Sequence, residues 1–104
     1  MINILRLHNN NSAYKINFNG LYDGKDILKV AKILEDNFNA VLTEAIDGIW
    51  LLHLNYKIGE EEFELNYDPD VGVSLRPAIY RKNVKEVSEE YLVDLANKVL
   101  PYLN

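Results

Sequence analysis

Residues 49–77 read IWLLHLNYKIGEEEFELNYDPDVGVSLRP, and the period of their apolar positions decides the fold. Trp50, Leu52, Leu54, Tyr56 and Ile58 recur at every second residue, and beyond Gly59-Glu60 so do Phe63, Leu65 and Tyr67. Side chains alternate across a strand, so each run presents one apolar and one polar face, and the two apolar faces belong to one core. Asp68-Pro69-Asp70-Val71-Gly72 reads as a turn, because proline and glycine preset tight backbone geometry, and a short strand through Val73 and Leu75 follows it. Upstream, a strand from Ala40 to Ile46 runs into Asp47-Gly48, the strongest hairpin signal in the chain. Residues 40–77 are therefore predicted to form a four-stranded meander.

Working outward, Ile2 to His8 reads as a strand that is apolar on both faces, which predicts some cover on each. A turn is predicted at Asn9-Asn10-Asn11-Ser12. Tyr14, Ile16 and Phe18 then alternate with Lys15, Asn17 and Asn19, completing an N-terminal hairpin. Asp23, with Asp26 three residues on, is placed to cap a helix, and Tyr22 to staple onto Ile27. Ile27, Ala31, Leu34 and Phe38 form the apolar stripe of that helix. Ala78 to Lys85 is a basic connector. Ser88 caps a second helix with Val87 and Leu92 as its staple and Leu92, Leu95, Ala96, Val99 and Leu103 as its stripe, and Pro101 should stop or kink it near Leu100. The expected fold class is α+β: an antiparallel sheet in the order ββ-α-ββββ-α with two helices packed on one face.

The chain has 104 residues, which matches one domain, 1–104, with one core; no repeat, linker or low-complexity tract divides it. The absence of cysteine excludes disulfides, thiolate nucleophiles and thiolate metal sites. No signal peptide or membrane span is legible, so a cytoplasmic protein is expected, with no membrane partner. A net charge of -5 opposes nucleic acid, whose binding is carried by lysine and arginine, and favours encounter with a basic protein.

The densest charge feature lies at Glu60, Glu61, Glu62, Glu64, Asp68 and Asp70, six carboxylates in eleven positions with no basic residue among them. Such a strand is solvated and protected from aggregation by its charge, a docking surface, or a general acid/base pair. A metal site is not expected. Asp68-Pro69-Asp70 lacks the later ligands of a calcium loop, and two histidines without HExxH spacing do not make a zinc site. His53 lies on the polar face of its strand, flanked by Leu51 and Asn55, as a packed sheet residue, a partner contact, or a base beside a cross-strand glutamate. No GxSxG, P-loop or GxGxxG occurs. On the same face Ile49, Leu51 and His53 stand with Asn55, Lys57, Glu62, Glu64, Asn66, Ser74 and Arg76. That is the composition of an apolar interface centre with a polar rim, unless the N-terminal hairpin folds across it.

The capped helix, the Trp-bearing meander with its Asp-Gly turn, the stretch Phe63-Glu64-Leu65-Asn66-Tyr67-Asp68 ending at Gly72, and the closing helix together resemble small immunity proteins of bacterial toxin systems, including contact-dependent growth inhibition. The resemblance implies a non-enzymatic acidic protein, without cofactor, that binds a basic toxin domain and covers its active site or substrate groove. On that reading Glu60, Glu61, Glu62, Glu64, Asp68 and Asp70 steer the partner, and Leu51, His53 and Tyr67 anchor it, although the parity of Tyr67 places it with the core. Two other readings stand beside it. One is a small adaptor or chaperone subunit, a homodimer formed through the open sheet face or an edge strand, whereas the free immunity protein would be a monomer or homodimer. The other is a small hydrolase using His53 with Glu62 or Glu64.

Overall fold

The structure is a computed structural model that describes residues 1–7, 10–47, 52–78 and 86–103. Its strands are β1 (Ile2–Leu7), β2 (Asn10–Phe18), β3 (Val41–Asp47), β4 (Leu52–Ile58), β5 (Glu61–Asp68) and β6 (Gly72–Pro77). Its helices are α1 (Gly24–Asn37) and α2 (Glu89–Val99), and a 3-10 turn over Leu100–Leu103 follows α2. The class is α+β, as the alternation and the two stripes predict. All strands form one antiparallel sheet in the order β1-β2-β6-β5-β4-β3. The N-terminal hairpin therefore does not fold across the meander; it extends it, with β2 beside β6.

One face of the sheet carries Ile16, Phe18, Val73, Leu75, Phe63, Leu65, Leu54 and Tyr56 into a single core with Ile27, Val30, Ala31 and Leu34 of α1 and Leu92, Leu95, Ala96 and Val99 of α2. Cross-strand pairing explains the match of faces: Leu54 stands opposite Leu65, Tyr56 opposite Phe63, Leu65 opposite Leu75, and Leu75 opposite Ile16. The helix ends follow the local sequence. Asp23 and Asp26 form a reciprocal capping box, and Ser88 Oγ accepts the Tyr91 N–H at 3.1 Å. The 3-10 turn begins immediately before Pro101, whose ring and missing donor end the α-helical ladder. Asn39 adopts φ 58°, a left-handed conformation that asparagine tolerates, and turns the chain from α1 into β3.

Three local expectations are corrected. Residues Asn10, Asn11 and Ser12 belong to β2 and not to a turn, because Leu7 pairs with Asn10 and ladder bonds override the turn preference of asparagine. The first strand is not covered on both faces. It is the edge of the sheet, and Ile4 and Leu5 are exposed. Tyr22 is also exposed, with its ring over Gly72 instead of buried with Ile27. The Asp47-Gly48 turn, Trp50 and the basic connector from residue 79 to 85 lie outside the described residues.

The hairpin joins the meander through only two register pairs, Ile16 with Leu75 and Asn17 with Ser74. Side-chain bonds reinforce this narrow seam. Asn17 Nδ2 donates to Val71 O (2.9 Å), Val73 O (3.2 Å) and Ser74 Oγ (3.2 Å). The Val73 N–H donates to Leu21 O at 3.0 Å, which draws residue 21 down over Gly72. Gly72 sits at φ +95°, and a Cβ there would meet Leu21 O at 2.3 Å.

Two predictions follow from this packing. Gly72→Ala should cost about 3 kcal/mol or more, whereas Gly20→Ala, at φ +88° with open space around it, should cost only the left-handed penalty of about 1–2 kcal/mol. Urea midpoints of the two variants compare them directly. The second concerns alkali. Burial, with Glu89 and Glu86 adding to it, pushes the Tyr14 hydroxyl up to about 12 from 10.0. The folded state thus favours the neutral phenol, so its contribution is intact below pH 10 and is lost as pH rises from there to about 12. Tyr14→Phe should flatten the fall in stability across that window.

Candidate functional site

The acidic stretch does not form one patch. Glu60 is exposed in the turn before β5; Glu61 and Glu62 begin the strand on opposite faces; Asp68 ends it, half-buried, and Asp70 is exposed in the next turn. A strand rises about 3.4 Å per residue, so Glu61 and Asp68 are separated by roughly 24 Å. The sequence clusters these carboxylates, but an extended backbone spreads them into two groups at opposite ends of β5. Glu61 lies toward α2, where its charge adds to burial in raising the pKa of the Tyr91 hydroxyl. Asp68 Oδ1 accepts the Asp70 N–H at 2.8 Å and fixes the second turn.

Glu64, between the two groups, is 1% exposed and is the one buried carboxylate among the described residues. It therefore does not belong to the surface on which the sequence reading placed it. Its Oε2 accepts from Arg76 Nε at 3.2 Å and lies 2.9 Å from His53 Nδ1. A carboxylate can stay ionised away from water only with such partners, and here they come from the two neighbouring strands, β6 and β4.

These residues belong to a polar ladder across the sheet face opposite the helices. One row runs Asn3, Asn17, Ser74, Asn66, His53 and Ile46 from β1 to β3. The next contains Arg76, Glu64, Asn55 and Glu44. Asn17, Ser74, Asn66, Asn55 and Glu64 are all buried, so the centre of this face is not an exposed apolar patch. No buried side-chain nitrogen or oxygen among the described residues lacks a partner. Lys15, on β2, reaches over β6 to donate from Nζ to Asn66 Oδ1 at 3.1 Å. Burial and Arg76 lower the Lys15 pKa, while Asp68 and Glu64 oppose the shift.

The Glu64 carboxylate decides which nitrogen of His53 carries the proton. With Oδ1 turned to Lys15, the Asn66 Nδ2 faces His53 Nδ1 at 3.0 Å, the same atom that meets Glu64. One nitrogen cannot donate to the carboxylate and accept from the amide at once. The charge-assisted bond is the stronger, so Nδ1 carries the hydrogen and donates to Glu64. A carboxylate behind an imidazole also orients general bases. The serine in register, Ser74, is nonetheless separated from His53 by the whole of β5. Two strand spacings are about 10 Å, too far for direct proton transfer. This geometry favours a structural dyad over a Ser-His nucleophile.

Of the expected anchors, His53 is on this face but largely buried, and Tyr67 packs against the core with its hydroxyl donating to Tyr22 O at 3.4 Å. Leu51 lies outside the described residues. Sequence reading placed Ser74 and Arg76 on this face but missed Lys15 and Asn17, whose alternation with Tyr14, Ile16 and Phe18 marked them only as facing away from the core. No helix among the described residues is long and apolar enough to cross a membrane. No protein-family model, curated protein or solved structure matches the chain, so the site is read from its own chemistry.

Removing Arg76 would take the arginine partner from the buried Glu64. Arg76→Met should lower stability by about 3 kcal/mol, and Arg76→Met with Glu64→Gln should lose less than the two single variants summed. A double-mutant cycle of urea midpoints at neutral pH reads this coupling.

Proposed function

We propose that this chain is a non-enzymatic binding protein: a cytoplasmic immunity protein that neutralises a basic, nuclease-like toxin domain by covering its active site or substrate groove. The observation that carries the reading is the disposition of the acidic residues that remain near the surface. Glu60, Glu61 and Glu62 stand at one end of β5 and Asp68 and Asp70 at the other, on turns of a strand pinned at its centre by Glu64 and Arg76. Two anionic points held roughly 24 Å apart on a rigid element suit the two banks of a groove built to hold a polyanion. The -5 net charge adds long-range attraction for the same partner and repels nucleic acid itself. The resemblance to toxin-immunity proteins supports the same conclusion.

The test begins by recovering the tagged chain from the cells that encode it, through washes of rising salt. A basic protein retained in near-equal amount, which arrests growth when its domain is expressed alone and ceases to do so when this chain is co-expressed, is the expected result. The variant Glu60→Lys, Asp70→Lys, at the two exposed turn positions, should unfold at an unchanged midpoint and associate about tenfold more slowly at low salt. A neutral or acidic partner, a partner harmless to the cell, or none at all would refute the proposal.

A further inference from the structure

Strand β3 differs from every other strand in the sheet. All seven of its residues, Val41–Asp47, are exposed, including three large apolar side chains: Val41 (62%), Leu42 (45%) and Ile46 (42%). It is the last strand in the sheet order. Its inner side pairs with β4 from Val41 opposite Lys57 to Asp47 opposite Leu52, and no strand among the described residues lies on its outer side. The opposite edge is tied down: Arg6 of β1 forms a 2.7 Å ion pair with Glu89 of α2, and Met1 O accepts the Asn19 N–H. Protein edges are commonly guarded by lysine or proline, and β3 has neither. Its one irregularity is a bulge between Leu42 and Glu44, where the Thr43 hydroxyl donates to Asn55 O; beyond it, residues 44–47 continue in unbroken register.

The chemistry of this edge selects its occupant. Both of its charges, Glu44 and Asp47, are acidic, and they stand among Val41, Leu42, Ala45 and Ile46. An added strand gains backbone bonds along the edge and specificity from the side chains it sets opposite these. Basic residues opposite Glu44 and Asp47, spaced by apolar ones, satisfy both properties. A second copy satisfies them poorly. Antiparallel self-pairing centred on Glu44 sets that carboxylate against itself, and a register joining Glu44 to Asp47 does so twice over. Every register brings together two chains of net charge -5.

We infer that β3 receives an extended, basic segment of the partner as a seventh strand of the sheet. This rests on the binding function proposed above and names where on the partner's side the contact is made: a strand with basic residues three apart, one on each face, among apolar ones, not a helix or a phosphate group. The two anionic turns of β5 then guide the encounter while β3 supplies the directional bonds.

The probe is a capped valine heptapeptide carrying two lysines three residues apart, with a glutamate-for-lysine peptide as control, added at low salt to isotope-labelled protein. The amides of residues 41–47 should shift and exchange more slowly with the basic peptide, those of residues 2–7 should not, and the acidic peptide should do neither. The variant Glu44→Lys, Ile46→Lys, checked for an unchanged unfolding midpoint, should lose at least about tenfold in affinity for the peptide and for the partner recovered above. Peptide shifts centred on β1 or on the β5 turns, equal binding of the acidic peptide, or a concentration-dependent dimer that the variant abolishes would each overturn the inference. If the recovered partner binds the variant as tightly as the wild type, β3 is not its site, while the binding function stands. If the wild-type chain retains no partner either, both fall.

Discussion

The seam between β2 and β6 is the constraint on which the rest of this structure depends. It is only two register pairs wide, yet it converts a hairpin and a meander into one six-stranded sheet. Asn17 makes the narrow pairing sufficient, because one amide satisfies two carbonyls and a hydroxyl across the joint. Gly72 does so from the other side, since only a residue without a Cβ lets Leu21 O approach closely enough to accept from Val73. Through this seam Phe18 and Ile16 reach the core beneath α2, and Lys15 comes within reach of Asn66.

The polar face of the sheet is the consequence. Burying Glu64 is costly, and the structure offsets the cost with Arg76 and His53 from the strands on either side, while Lys15 holds Asn66 beside them. Such a network spans β2, β6, β5 and β4 and is satisfied in one register only. A slip of any of these strands by one residue would turn its members into the apolar core. The network therefore specifies the sheet as much as it stabilises it. It also stiffens β5, so the carboxylates at the two ends of that strand keep a constant separation.

Much of the fold was legible because it rests on periodicity and local chemistry. The period-two runs of β4 and β5, the Asp23 and Ser88 caps and the Pro101 stop all act within a few residues of themselves, and the structure reproduces each. The site was legible only in part. The side of His53 followed from parity alone, but the burial of Glu64 did not, because the arginine that permits it lies twelve residues away on another strand. The same limit explains β3, whose apolar residues look no different in sequence from those of a core strand.

The sequence by itself determined most of the strand and helix positions, which faces are apolar, and that the chain is acidic and without cysteine, since backbone preference, side-chain alternation and composition are properties of short stretches. Tertiary structure decided that the N-terminal hairpin extends the sheet instead of covering it. It also parted the acidic stretch into two groups, withdrew one carboxylate from the surface and left β3 as an edge. Each of these depends on strand order, and strand order is set by contacts between residues far apart in the chain, such as Asn17 with Val71 and Lys15 with Asn66, that no local pattern encodes.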